Sequence, residues 1–292
     1  MAETRTDQAD GLRRLFRAPS TPVVAVVGVA DGCGATTVSA ALAAHLAERG
    51  LRVCLVDEHR DVRSATAVLG ARSRYDLLQA VEGHVSPVQV SVPVGPCLQL
   101  IPAARLAQRR GPMPDHQLAR LDQYWNEMVG AADLAIVDSA ARTAADASIL
   151  GCKAGWILLV CGTGVRALQG ACASLQQLSE AVAMEQVGLV VNAATDAAQA
   201  TAVAQGLAYV SDRRGGARPE YLGWLPRVGG LRTREMPWER LASSPSMPAL
   251  VQWIMPSEGG GCADDDVVEA SPASRPDVPG PSSFRGAAQA RG

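Results

Sequence analysis

One stretch limits what this chain can fold into. Val23 to Val27 is a run of small apolar residues, four of them valine. It reads as a strand buried on both faces. Gly32-Cys33-Gly34 follow as a turn, and Thr36-Thr37 opens a long helix rich in Ala and Leu that runs past Ala47. A buried strand, a glycine loop and a helix N-terminus, in that order, make a cradle for phosphate. The loop N–H groups and the positive end of the helix dipole converge on one point.

From Val23 onward, strand and helix signals alternate. Strands are expected at Val23–Val27, Arg52–Asp57, Leu98–Pro102, Leu134–Asp138, Trp156–Cys161, Val187–Asn192 and Tyr221–Leu225. Helices are expected at Thr37–Arg49, Tyr75–Glu82, Asp115–Val129, Val165–Val182, Thr195–Tyr209 and Pro248–Met255. Continuous apolar strands alternating with helices imply an α/β fold, a mostly parallel sheet with helices on both faces. Ligand sites in such sheets lie at the carboxyl ends of the strands. The glycine loop, Asp57 and Asp138 all fall there. The expected organisation is a leader over 1–21 with one short amphipathic helix, an α/β domain over 22–255, and a disordered tail over 256–292 rich in Gly, Pro, Ser and Asp.

Hydrophobic residues make up 48% of the chain but aromatics only 4%, so the core must be built from Ala, Val and Leu. A net charge of −2 gives no general pull towards nucleic acid or a membrane surface. The seven cysteines form no CxxC pair, which favours buried reduced thiols over a metal site or a disulfide framework. The N-terminus lacks a signal-peptide pattern, and no apolar run reaches the ~18 residues of a membrane span. These features point to a cytoplasmic protein, at most peripheral on a membrane. Arginine supplies nearly all the positive charge, with clusters at Arg105–Arg110 and Arg213–Arg218 read as solvated loops. Lys153 is the only lysine.

The phosphate-binding P-loop is GxxxxGK[ST], and the last three positions here are Gly34-Ala35-Thr36. The whole run Ala30-Asp31-Gly32-Cys33-Gly34-Ala35-Thr36-Thr37 resembles the deviant P-loop of the MinD/ParA ATPases, KGGxGKTT. Val56-Asp57-Glu58-His59 resembles that family's DxD. Leu134 to Ala141 resembles its second switch strand, Val190-Val191-Asn192 the strand whose Asn reads adenine, and Gly223-Trp224-Leu225-Pro226 its G-x-h-P near the adenine pocket. The leader adds a narrower likeness. Asp7-Gln8-Ala9-Asp10-Gly11-Leu12-Arg13 resembles DQAxxLR, the N-terminal motif of the flagellar-number regulators FlhG, FleN and YlxH. Tyr75 to Gly83 and Leu98 to Ala103 also resemble segments of that group. The resemblance implies that Asp7, Gln8, Ala9, Leu12 and Arg13 dock on FlhF, an SRP-type GTPase, with Gln8 orienting the attacking water. An amide can donate to and accept from one water at once. A flagellar C-ring component and a flagellar transcription regulator are the further partners it implies.

The departures from the family pattern sharpen the expectation. Ala30 and Ala35 stand where the family has lysines, Asp31 where it has Gly, His59 where it has the second carboxylate, and Arg142 where it has Gly. An ionic hydrogen bond is worth about 1.5–3 kcal/mol, so losing both lysines weakens ATP binding by orders of magnitude. Thr36 keeps the hydroxyl that would ligate Mg²⁺, and Asp57 and Asp138 can hold its water shell. The expected state is a pseudo-ATPase with ATP and Mg²⁺ weakly bound or lost, acting through its leader; a dimer is compatible with it. Competing readings are a slow MinD-like ATPase that dimerises and cycles on membranes, or an accessory scaffold for another envelope machine such as cellulose secretion. Chromosome partitioning would need non-specific DNA binding, which the arginine loops permit without indicating.

Overall fold

The computed structural model of the chain describes residues 21–141, 148–181, 186–213, 218–227 and 241–255. Eight strands form one sheet: β1 (Val23–Gly28), β2 (Val53–Asp57), β3 (Val92–Pro93), β4 (Leu98–Pro102), β5 (Leu134–Ser139), β6 (Trp156–Cys161), β7 (Val187–Ala194) and β8 (Glu220–Pro226), in the order β3-β4-β2-β5-β1-β6-β7-β8. Only β3 is antiparallel; all other pairs are parallel. The sequence order of the strands turns about β1, which lies between β5 and β6. The loop after β1 therefore opens into the crevice where ligands bind in doubly wound sheets.

The alternation of side chains along each strand divides the core. Val24, Val26, Leu55, Ile136, Leu158 and Val160 point to one face, beneath helices α1 (Ala35–Glu48) and α9 (Met247–Ile254). On the other face, Cys54, Val56 and Val137 meet α3 (Leu77–Val81) and α6 (Asp115–Val129). Beside them, Leu159, Cys161, Leu189 and Val191 meet α7 (Val165–Ala181) and α8 (Ala197–Arg213). Helix α1 is buried almost all round, with Ala40, Ala41, Leu42 and Ala43 fully covered. A helix apolar on every side has to lie inside the protein. Its lid is α9, whose Trp253 stacks edge-on against Trp156 at 5.0 Å.

The expected strands and long helices form, some with the expected ends and the others shifted by up to four residues. Helix α1 begins at Ala35 instead of Thr37, because Gly34 adopts a left-handed conformation (φ 88°) and serves as its N-cap. Six short elements were not expected: β3, α2 (Ala65–Val68), α4 (Pro87–Val90), α5 (Ala104–Ala107) and the 3₁₀ turns Asp61–Arg63 and Gly151–Lys153. Each is too short to show a periodicity. The Arg105–Arg110 cluster begins inside α5, where Leu106 is buried and the Arg105 N–H donates to Asp76 Oδ2 at 2.9 Å. Arg218 pairs with Asp212, and Arg213 lies over the Tyr209 ring. The leader motif, Arg142 and the tail lie outside the described residues. Among the described residues no helix is long and apolar enough to cross a membrane.

Packing between α7 and the start of the β1 loop depends on Gly170. A Cβ there would lie 2.0 Å from the Val29 carbonyl oxygen, a backbone atom that cannot rotate away. Gly170→Ala should destabilise the fold by about 1–3 kcal/mol through that overlap, read as a lower urea midpoint with an unchanged m-value.

Candidate functional site

The carboxyl ends of β1, β2 and β5 surround a cavity of about 670 Å³. Its floor is the P-loop, from Ala30 to Thr37, with Gly28 beneath. Its walls carry His59, Val62, Arg63, Ala67, Val68 and Ser139 to Ala141. Gly32 and Gly34 both have positive φ, which turns successive N–H groups inward. No side chain caps α1, so its first-turn N–H groups face the cavity without an internal acceptor. Cys33 lines the loop and is nearly buried.

Three buried carboxyl groups stand behind this rim. Asp57 Oδ1 accepts from the His59 N–H at 3.0 Å, while Oδ2 accepts from the Thr66 N–H at 2.8 Å and the Thr66 hydroxyl at 2.7 Å. Asp57 thus holds down the segment from His59 to Thr66 and does not itself line the cavity. Glu58, fully buried, accepts at Oε2 from the Ala140 N–H at 3.1 Å and the Ser139 hydroxyl at 3.3 Å, and at Oε1 from the Ser148 hydroxyl. It therefore ties together both ends of the stretch 140–148. Burial pushes the Glu58 carboxyl above its ordinary range; Ser148, Ala140 and Ser139 draw it part of the way back.

Asp138 is the third. Its Oδ1 accepts from the Ser39 hydroxyl of α1 at 2.9 Å, whereas its Oδ2 is buried with no hydrogen-bond partner. Burial lifts this carboxyl to about 7; His59 opposes the shift, Asp57 reinforces it, and the Thr36 and Ser39 hydroxyls oppose it. His59 Nε2 lies 3.1 Å from the Ser139 carbonyl and 3.9 Å from Asp138 Oδ2, so the imidazole is best written with Nε2–H donating to Ser139. Asn192, at the end of β7, lies under the P-loop. Its Nδ2 donates to the Cys33 carbonyl at 2.8 Å, and a Cβ on Gly34 would sit 2.3 Å from that same nitrogen. The amide is thus already engaged with the loop, and it does not line the cavity.

The cavity therefore gathers Ala30, Asp31, Gly32, Cys33, Gly34, Ala35, Thr36, Thr37 and His59, with Asp57, Asp138 and Asn192 bracing it from behind. Glu58, Ser148 and Arg63 were not expected from sequence. Glu58 carried one readable signal, an acidic residue directly after the apolar strand. Among the described residues no cluster of three or more His, Cys, Asp or Glu side chains is set to hold a metal. The open N–H array fits a phosphate group, and the Thr36 hydroxyl on the cavity floor fits the water shell of a cation, with Asp138 buried behind it. The positions of the family's lysines carry only methyl groups, at Ala30 and Ala35. The single lysine, Lys153, is paired with Asp122.

Comparison with known proteins gives this arrangement a family. The MinC:MinD cell division complex of Aquifex aeolicus aligns with a TM-score of 0.56 at 20% identity, over 80% of this chain and 93% of that one, a likeness of fold. The septum site-determining protein MinD of Thermotoga maritima is 32% identical over 123 residues, 41% of this chain and 44% of the relative. The match thus spans less than half of that relative's length. The antiactivator FleN of Pseudomonas aeruginosa is 27% identical over 205 residues, 70% of this chain and 73% of its own. The family described as the CobQ/CobB/MinD/ParA nucleotide binding domain matches residues 24–235, well over half the chain, from the first strand through the whole of the site. The chain belongs to the CobQ/CobB/MinD/ParA nucleotide-binding family.

Proposed function

We propose that this protein is a FleN/FlhG-type regulator of flagellar number or placement that activates an SRP-type GTPase through its leader, with a nucleotide site that no longer hydrolyses ATP. The observation that carries the reading is the leader itself. Asp7, Gln8, Ala9, Leu12 and Arg13 keep the DQAxxLR spacing immediately ahead of the P-loop domain. Similarity to the antiactivator FleN over most of the chain supports it. In this reading Gln8 enters the partner's active site and orients the attacking water, while the α/β domain positions the leader.

The chemistry of the cavity supports a site without turnover. General-base or water-orienting work at the rim needs a carboxylate with free lone pairs. Here His59 occupies that position, with its Nε2–H directed to Ser139. Both Asp57 oxygens already accept hydrogen bonds from the backbone or Thr66. Bound Mg²⁺ would supply charge neutralisation to a phosphate; on this chain Thr36 and Asp138 are the groups that would hold its hydration shell. A slow MinD-like ATPase is the second reading, favoured by the 32% identity to a MinD.

The purified full chain should accelerate GTP hydrolysis by an SRP-type flagellar GTPase, and Gln8→Ala should return the rate to the partner's basal value. Failure of the wild-type chain to stimulate would overturn the proposal. The buried carboxyl gives a separate expectation. With its folded value raised to about 7, Asp138 holds a proton in the native state that the unfolded chain releases between about pH 4 and 7. Native stability should therefore fall as pH rises through that window. In urea titrations Asp138→Asn should unfold close to wild type at pH 5 and at higher urea than wild type at pH 8.

A further inference from the structure

Charge of one sign collects where β2 and β4 leave the sheet. The two strands are parallel neighbours, so both chains exit at the same edge. The segments 59–75 and 103–114 that follow them hold seven arginines against a single acidic residue, Asp61. Arg109 is turned back on its own loop, with Nη1 donating to the Gly111 and Pro112 carbonyls at 3.1 and 2.8 Å. Arg60, Arg63, Arg72, Arg74, Arg105 and Arg110 are exposed. Among the described residues no hydrogen bond or ion pair engages the guanidinium groups of Arg60, Arg63, Arg72, Arg74 and Arg110, while the Arg105 charge reaches the buried Asp76 carboxyl. Elsewhere Arg52, Lys153 and Arg218 each pair with an aspartate.

Hydrogen bonds hold these segments to one another. The Ala103 N–H donates to the Asp57 carbonyl at 2.8 Å, which joins the ends of β2 and β4. Asp57 Oδ2 accepts from the Thr66 N–H at 2.8 Å and so holds down the turn that bears Arg60 and Arg63. Asp76 accepts from the Leu78 N–H at 3.0 Å through Oδ1 and from the Arg105 N–H at 2.9 Å through Oδ2. The loop bearing Arg72 and Arg74 therefore lies against the start of α5. The backbone beneath the arginines is fixed before anything binds, which leaves only side chains to be ordered by a partner. Val62, 85% exposed, stands between Arg60 and Arg63 and adds an apolar point to the charged surface.

We propose that this surface is a docking site for an acidic segment of a partner protein, one that presents clustered Asp or Glu side chains. Guanidinium forks match carboxylates two bonds at a time, and Val62 offers a contact to an apolar side chain of the same segment. The chain as a whole is net −2, so outside these two segments it is acidic on balance. A long polyanion such as a nucleic-acid duplex would meet that acidic remainder, whereas a short carboxylate-rich segment is confined to the arginines. The one Phe, Tyr or Trp of these segments, Tyr75, is committed to the core and is no platform for stacked bases. Docking here involves neither the leader nor a ligand in the P-loop cavity.

The test is fluorescence anisotropy of the full chain with a labelled synthetic peptide carrying Glu residues around a central Leu. The same peptide with Gln for Glu, and a DNA duplex of equal charge, are titrated beside it. Wild type should bind the Glu peptide, more weakly as salt rises, and should not bind the Gln peptide. Arg72→Glu/Arg74→Glu should weaken Glu-peptide binding by about tenfold or more. Arg213→Glu/Arg227→Glu makes the same change in net charge on the α8 and β8 side and should stay within about twofold of wild type. All four arginines are exposed, so unchanged urea midpoints would exclude misfolding as the cause. No binding of the Glu peptide by wild type, or equal loss in the two double variants, would overturn the proposal. A duplex bound more tightly than the Glu peptide, and lost in Arg72→Glu/Arg74→Glu, would overturn the partner class. A wild-type chain that fails to stimulate the GTPase yet binds the peptide through these arginines would sink the regulatory reading and leave this inference intact.

Discussion

Taking a carboxylate out of water is tolerable only where donors meet it, and three such groups organise the functional end of this sheet. Asp57 is met by Thr66 and the His59 N–H, Glu58 by Ser139, Ala140 and Ser148, and Asp138 by Ser39 on one oxygen alone. The first two are fully answered and act as clamps on the loops they hold. The third is held by Ser39 of α1, beside Thr36, and so ties β5 to the helix that begins at the cradle.

Helix α1 explains how the cradle keeps its shape with alanine at positions 30 and 35. Its residues Val38 to Leu46 fill the space between sheet and α9. Gly32 and Gly34 shape the turn ahead of it with positive φ, so the backbone of the cradle is set by two glycines and a buried helix.

Much of this was legible in the sequence. Seven of the eight strands announce themselves as apolar runs, and the glycine loop after Val27 identifies the cradle without any structure. β3 was invisible because two residues with a proline carry no pattern, and α5 because arginine at its surface masked the burial of Leu106. Within the cavity, Gly32 to Thr37 were singled out by the glycine-loop pattern, and Ala30, Asp31 and His59 by resemblance to the MinD/ParA motifs. Glu58, Arg63 and Ser148 were not, since the groups that face a side chain from distant segments leave no local pattern. Asn192 was singled out by resemblance to the family's adenine-reading strand, but its hydrogen bond to Cys33 joins residues 159 positions apart, and no local pattern encodes that.

That last contact makes the two halves of the sheet mechanically interdependent. β7 belongs to the half covered by α7 and α8, while the P-loop springs from the central strand. A ligand that lifts the Cys33 carbonyl has to strain or break the bond to Asn192, and so loads β7 and the helices that cover it. A signal of that kind needs no lysine and no hydrolysis. It would let occupancy at the cradle be felt on a surface well away from the phosphate.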